Sequence, residues 1–313
     1  MTASYLVFAG LGIIWGSNFL FMKMAVALLG PMQVVCLRVL CGSVPILGYA
    51  LARGELRRSH WKMAHHFIIM ALLANVLPFF FFVKGTQSLA SGIAGVISGT
   101  IPLMTFLLTI LLLPADRPDS RRLAGVALGL AGVALVAGIP GAAAAGGSAK
   151  GAMSVLFGSA SYALAMVYAR KFLTPLKQGA VPLAAYQTLA AAVMLLLATP
   201  LNGVAEILHA PAVLWSLVLG LGLLGTGVAF VMYYFLIERL GAVTASSVYY
   251  IPPLVALFAG AVFLNEAVSA GQGLGTALIL AGIYLARNGA ENERKNQEDR
   301  GTVRPGTVCL HKS

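Results

Sequence analysis

Long apolar runs separated by short polar gaps dominate the chain, and their lengths predict helices that cross a bilayer. Residues 4–26, 31–51, 67–86, 91–113 and 121–140 form a first set of five. Residues 151–170, 181–199, 212–237, 243–264 and 268–287 form a second. About 20 apolar residues span roughly 30 Å of hydrocarbon as a helix. The runs are continuous, whereas a membrane-spanning barrel alternates apolar and polar positions. The predicted fold class is an all-α polytopic membrane protein of ten transmembrane helices.

The pattern also repeats. Ile101-Pro102 recurs as Ile251-Pro252, Asp116 falls on Glu266, and GVALGLAGVAL (125–135) lies over GTALILAGIYL (275–285) with seven of eleven positions identical. Five spans per copy is an odd number, so the second copy must enter the membrane upside down relative to the first. The halves are expected at 1–140 and 151–287, as two inverted five-helix repeats. That is the signature of a secondary transporter with its binding site between the halves. Residues 288–313 are polar and poor in bulky apolar side chains, and are expected to be a disordered cytoplasmic tail.

Composition sharpens this picture. Hydrophobic residues make up 59% of the chain and charged ones 10%, against roughly 25% charged in soluble domains. The net charge of +11 does not indicate a nucleic-acid partner, because the charges lie between spans and not on one face. With the N-terminus in the cytoplasm, only Lys23, Lys84 and Lys150 fall in outer loops and Arg38 within a span. The other 17 of the 21 Lys and Arg residues fall inside. That distribution sets both termini in the cytoplasm of an inner (plasma) membrane protein. The first apolar stretch lacks a basic leader and reads as a retained helix. Cys36, Cys41 and Cys309 suggest neither a disulfide framework nor a metal site, and no cofactor is expected.

Chemistry inside the spans is sparse. Arg38 is the only basic residue well within an apolar run, roughly 10 Å from the Pro31 end at 1.5 Å per residue, and its approximate counterpart in the second half is Leu189. It either grips a substrate carboxylate through its fork of donors or ties helix ends together through backbone carbonyls. No Asp or Glu occupies the middle of a span, which argues against a carboxylate proton relay and against export of organic cations. Neutral or zwitterionic small molecules remain.

For such a solute the candidate binding residues are Trp15 and Asn18 in span one, Arg38 in span two, and Asn75 and Phe79 in span three. Ser98 in span four, Tyr234 in span eight, and Tyr249 and Tyr250 in span nine complete the set. Lipid or helix packing explains each single aromatic better than cavity lining does, and interhelical hydrogen bonding would also explain the two asparagines. Pro102 and Pro252 interrupt equivalent spans, as hinges or static kinks. Gly12/Gly16, Gly125/Gly129 and glycines 220, 222, 225 and 227 suit close helix contact. His65 and His66 should point to different sides of a helix at the membrane edge, and Lys84 should snorkel outward.

An intramembrane enzyme would need a catalytic set at membrane depth, and no HExxH, aspartyl pair or deep histidine is present. A channel would need a filter or ring of charges. The runner-up within the carriers is drug export, for which Met22, Met24, Met104, Met166 and Met232 offer adaptable walls. A homodimer is compatible with this reading.

Over residues 5–287 the chain resembles an EamA-type member of the drug/metabolite transporter superfamily. The resemblance rests on WGSNFLFMK (15–23), on Arg38, on the proline-bearing fourth and ninth spans, and on FLNEAVSAGQGLGTALILAGIYL (263–285). One departure is LLPADRPD (112–119), where Asp116 occupies a place that is usually Glu. The resemblance implies ten helices, cytoplasmic termini, a central cavity lined mainly by spans three, four, eight and nine, and transport of small metabolites, often amino acids.

Overall fold

A computed structural model describes residues 2–112, 120–136, 149–176, 179–240 and 247–299, and among them there is no strand. The apolar helices are, in order, α1 (Thr2–Val26), α2 (Pro31–Ala52), α3 (Ala64–Thr86), α4 (Ser91–Leu112), α5 (Ser120–Val136), α6 (Ala149–Leu176), α7 (Ala180–Ala198), α8 (Pro211–Leu236), α9 (Val248–Phe263) and α10 (Ala270–Asp299). Seven are long and apolar enough to cross a membrane. The apolar parts of α5, α9 and α10 are shorter, at 10–17 residues.

Several helices are irregular where sequence periodicity predicts continuity. Helix α3 widens into a π-helix over Ala71–Val76, and α8 does so over Ser216–Val228. Helix α4 breaks at Gly99-Thr100, between Ser91–Ser98 and Ile101–Leu112. Helix α9 begins with a 3₁₀ turn, Ser247–Tyr250, before Ile251–Phe263. Pro102 and Pro252 are therefore not kinks within a running helix. Each is the second residue of a new helical segment, where its missing N–H has no intrahelical partner to lose.

The principal packing pairs are α1 with α8 and α9, α6 with α3 and α4, α2 with α8, and α7 with α3. Three more pairs, α2 with α7, α4 with α9 and α5 with α10, complete the bundle. Exchanging each helix for the one five places along leaves this set unchanged. The duplicated glycines lie in the α5–α10 contact. A Cβ on Gly125 would meet the Gly282 carbonyl oxygen at 2.6 Å, and one on Gly132 would meet the Gly275 carbonyl oxygen at 2.6 Å. Gly125 opposite Gly282 with Gly132 opposite Gly275 means that the two copies of the motif cross antiparallel, backbone on backbone.

At the end of the bundle bearing the 87–90 connection, two charges hold the α3–α4 turn. Lys23 Nζ donates to the carbonyl oxygens of Thr86 (2.7 Å) and Leu89 (2.8 Å), satisfying orphan acceptors at a helix C-terminus. The Glu266 carboxylate accepts from Ser91 N (2.7 Å), Ser91 Oγ (2.9 Å) and Gly92 N (3.1 Å) at the start of α4. An anion suits that helix N-terminus. Asn265, in the left-handed region at φ 52°, turns the chain so that Glu266 reaches back. Glu266 is thus a cap between the repeats.

Two expectations need correction here. Helix α10 runs on to Asp299, past the point where a disordered tail was expected to begin at 288. The stretch AENERKNQED is rich in good helix formers. Residues 300–313, Asp116 and Cys309 lie outside the described residues. The rings of His65 and His66 do not diverge, their centroids being 4.0 Å apart, and His66 Nδ1 lies 2.7 Å from the Tyr168 hydroxyl.

Candidate functional site

A central cavity of about 80 Å³ opens between the helices, lined by residues from α1, α2, α3, α4, α6, α8 and α9. That volume accommodates about six water-sized groups, the scale of a small metabolite. Helix α1 supplies the largest share through Trp15, Asn18, Phe19 and Met22. Their spacing of i, i+3, i+4 and i+7 puts all four on one face. Phe79 and Phe82 come from α3, and Ser98, Gly99 and Ile101 from the break in α4. Tyr162 comes from α6, Gly225 and Phe230 from α8, and Tyr249, Pro252 and Pro253 from the start of α9. The break in α4, the π-segment of α8 and the 3₁₀ start of α9 thus meet at the cavity, as π-helical and broken segments at functional sites often do.

Arg38 enters from α2 and is 2% exposed. Its Nε donates to Thr226 Oγ1 at 2.9 Å, and its guanidinium carbon lies 3.9 Å from the Phe79 ring centroid. The Thr226 hydroxyl in turn donates to the Leu221 carbonyl five residues back, at 2.9 Å. The wide π-turn brings that acceptor into reach. Nη1 of Arg38 is buried and has no partner among the described residues. Among the described residues, neither backbone carbonyls nor a carboxylate hold this guanidinium, and no Asp or Glu lines the cavity. An unpaired buried donor on a cation costs several kcal/mol at most sites, so its natural complement is an anionic group arriving in the cavity.

The rest of the wall is aromatic and lightly polar. Trp15 stacks on Tyr249 with centroids 5.0 Å apart and lies 5.4 Å from Tyr233. The Tyr162 and Tyr249 hydroxyls are 3.4 Å apart. Asn18 Nδ2 donates to the Gly225 carbonyl at 3.4 Å, and Asn18 Oδ1 has no partner among the described residues. Ser98 Oγ donates to the Gly95 carbonyl at 2.7 Å.

Of the residues singled out from the sequence, Trp15, Asn18, Arg38, Phe79, Ser98, Tyr249 and Pro252 meet at this cavity, while Asn75, Tyr234, Tyr250 and Pro102 are not among its lining. Asn75 is fully buried in the π-turn of α3, and neither of its amide atoms has a partner among the described residues. Tyr234 stacks on Phe230 at 6.3 Å, one layer behind the wall. Tyr250 packs against the main apolar core. Tyr162 was missed. It sits in a run of small apolar residues, ASYALAM, where a tyrosine gives no signal distinguishing a cavity from a helix contact. The cavity also departs from the expected lining by spans three, four, eight and nine, because α1 crosses it as well.

Comparison with known proteins assigns this architecture. The inner membrane transporter YedA of Escherichia coli (strain K12) is 29% identical over 278 residues, 88% of each chain. The transporter YoaV of Bacillus subtilis (strain 168) is 26% identical over 277 residues, covering 87% of this chain and 92% of its own. A solved crystal structure shares the fold at a TM-score of 0.58, with 23% identity over 91% of this chain and 96% of that one. The sequence model of the EamA-like transporter family matches twice, over residues 2–138 and 149–287. With both halves matched and a cavity between them, the chain belongs to the EamA-like transporter family and is a multi-pass membrane transporter.

Proposed function

We propose that this transporter is a secondary carrier exporting small metabolites, amino acids or related zwitterions, by alternating access. The observation that carries this reading is Arg38: a fully buried guanidinium at the cavity wall with Nη1 unpartnered and no wall carboxylate to neutralise it. A substrate carboxylate would complete that donor set. The aromatic rings and the Asn18 amide would receive the rest of the molecule.

The carrier mechanism draws support from symmetry. The packing pairs are unchanged on exchanging the halves, and the repeated glycine motif crosses its own copy antiparallel. We read the chain as ten spans in two inverted repeats, divided at residues 140 and 151, with both termini in the cytoplasm. A break at Gly99-Thr100 precedes Ile101-Pro102 and a 3₁₀ turn precedes Ile251-Pro252, and we read the two as flexing elements beside the cavity. Drug export is the second reading, favoured by the aromatic wall. The cavity, at about 80 Å³, is smaller than the roughly 300–1,000 Å³ pockets that enclose drug-sized ligands, which weighs against it.

Counterflow in proteoliposomes tests the proposal. Vesicles preloaded with pooled unlabelled amino acids should accumulate at least one labelled amino acid from outside. Accumulation of none, with competition by apolar cations instead, would overturn the metabolite reading.

A further inference from the structure

A second cavity lies away from the central one, on the outer surface of the bundle. It is a groove of about 330 Å³ along the seam between α3 and α7, lined by Ala64, Phe67, Ile68, Tyr186, Leu189, Ala190, Val193 and Met194. Apart from the Tyr186 hydroxyl, every lining side chain is apolar. Ile68, Leu189 and Val193 are 51%, 41% and 50% exposed, so the groove faces the hydrocarbon. From Tyr186 to Met194 it runs about 12 Å along α7, close to the depth of one leaflet's acyl layer, roughly 15 Å.

The seam stands open because the halves differ there. Its partner under exchange of the repeats is the α2–α8 seam, which glycines close. A Cβ on Gly42 would meet Thr226 Cβ at 2.6 Å, and one on Gly222 or Gly227 would overlap Cys41 or Pro45. Helix α8 carries Gly220, Gly222, Gly225 and Gly227, whereas α3 has no glycine between Phe67 and Val83, and α7 has none at all. Bulky side chains hold α3 and α7 apart.

One end of the groove is basic. Ala64 lies two residues from Lys62. The Tyr186 hydroxyl donates to the Arg57 carbonyl at 3.1 Å, and its ring stacks on Phe67 at 4.9 Å, fixing the 53–63 connection against that end. Arg57 and Lys62 are exposed and make no ion pair among the described residues. The one acidic residue of the connection, Glu55, is taken up by Arg53 at 2.9 Å.

We infer that this groove is a lipid site, holding one acyl chain of an anionic phospholipid whose headgroup rests on Arg57 and Lys62. The apolar lining selects a chain, and the unneutralised cations at the membrane edge select the headgroup charge.

Native mass spectrometry of the full-length, detergent-purified protein tests this with phosphatidylglycerol and phosphatidylcholine of identical chains. We expect one tightly held phosphatidylglycerol, preferred about tenfold or more. In Ala190→Trp, which fills the groove, that bound lipid should be lost. In the surface double variant Arg57→Gln/Lys62→Gln, the preference should vanish while both lipids still bind weakly. If Ala190→Trp does not fold, Val193→Phe, on the exposed rim, gives the same readout. Equal retention of both lipids by the wild type would overturn the inference, as would phosphatidylglycerol binding unchanged by filling the groove. A lipid-free dimer abolished by Ala190→Trp would overturn it too, by making a second copy the occupant.

Discussion

Arg38 and Thr226 meet across the α2–α8 seam, with Nε donating to Oγ1 at 2.9 Å. The contact joins the two repeats and holds the guanidinium against the Phe79 ring with one donor unused. It depends on the π-segment of α8, whose wide turn gives the Thr226 hydroxyl its own acceptor at Leu221. Removing the acceptor while keeping the shape isolates its contribution. Thr226→Val should lower stability by about 1–3 kcal/mol, because a charged donor is stranded in a buried site. Thr226→Ser should restore most of it. Thermal unfolding in detergent reads the difference.

The proposed grip on a substrate carboxylate uses the guanidinium fork and not charge alone. Arg38→Lys retains a cation but presents a point charge and loses the planar donor pair. Transport should fall at least about tenfold in the Lys variant, a larger loss than in Thr226→Val, which removes the same seam hydrogen bond but keeps the fork. Initial rates of counterflow at matched protein density measure this.

The antiparallel crossing of α5 and α10 makes a sharp contrast between glycines. In Gly132→Ala the new methyl would lie 2.6 Å from the Gly275 carbonyl oxygen, and the helices must separate, at about 1–3 kcal/mol. Gly48→Ala in α2 meets nothing within 4 Å and should be neutral or stabilising by up to about 1 kcal/mol. Melting temperatures of the pair should move in opposite directions, or Gly48→Ala should stay unchanged.

Glu266 accepts three hydrogen bonds at the start of α4. Glu266→Gln keeps the length but exchanges a carboxylate for an amide, which loses the charge at the helix N-terminus and leaves only one acceptor oxygen. A loss of about 1–2 kcal/mol and faster hydrogen exchange of the Ser91 and Gly92 amides should follow.

Much of the framework was legible because the bilayer makes secondary structure and hydropathy nearly the same signal. Charged gaps marked the ends of α2, α3 and α8, and isolated polar residues such as Arg38 and Asn18 stood out within apolar runs. The π-segments were not legible: the one in α3 is only six residues long, too short for its wider turn to change which positions are apolar, and the one in α8 is apolar nearly throughout. That is why Asn75, spaced to share a face with Phe79, ends up buried beside the wall rather than on it. Tyr162 was hidden for a related reason: in a helix that is apolar all round, the chain pattern does not say which side meets a cavity. The extension of α10 to Asp299 was missed because low hydrophobicity was read as disorder, although Glu, Lys and Arg also favour helix.

In the proposed function, Arg38 receives a substrate carboxylate in the cavity between the repeats. The most direct measurement compares counterflow of a transported amino acid with that of its carboxamide, in proteoliposomes bearing the wild-type protein or Arg38→Gln. The wild type should carry the acid at least about tenfold faster than the amide, and Arg38→Gln should erase this preference. Equal transport of acid and amide by the wild type, or an intact preference in Arg38→Gln, would contradict it.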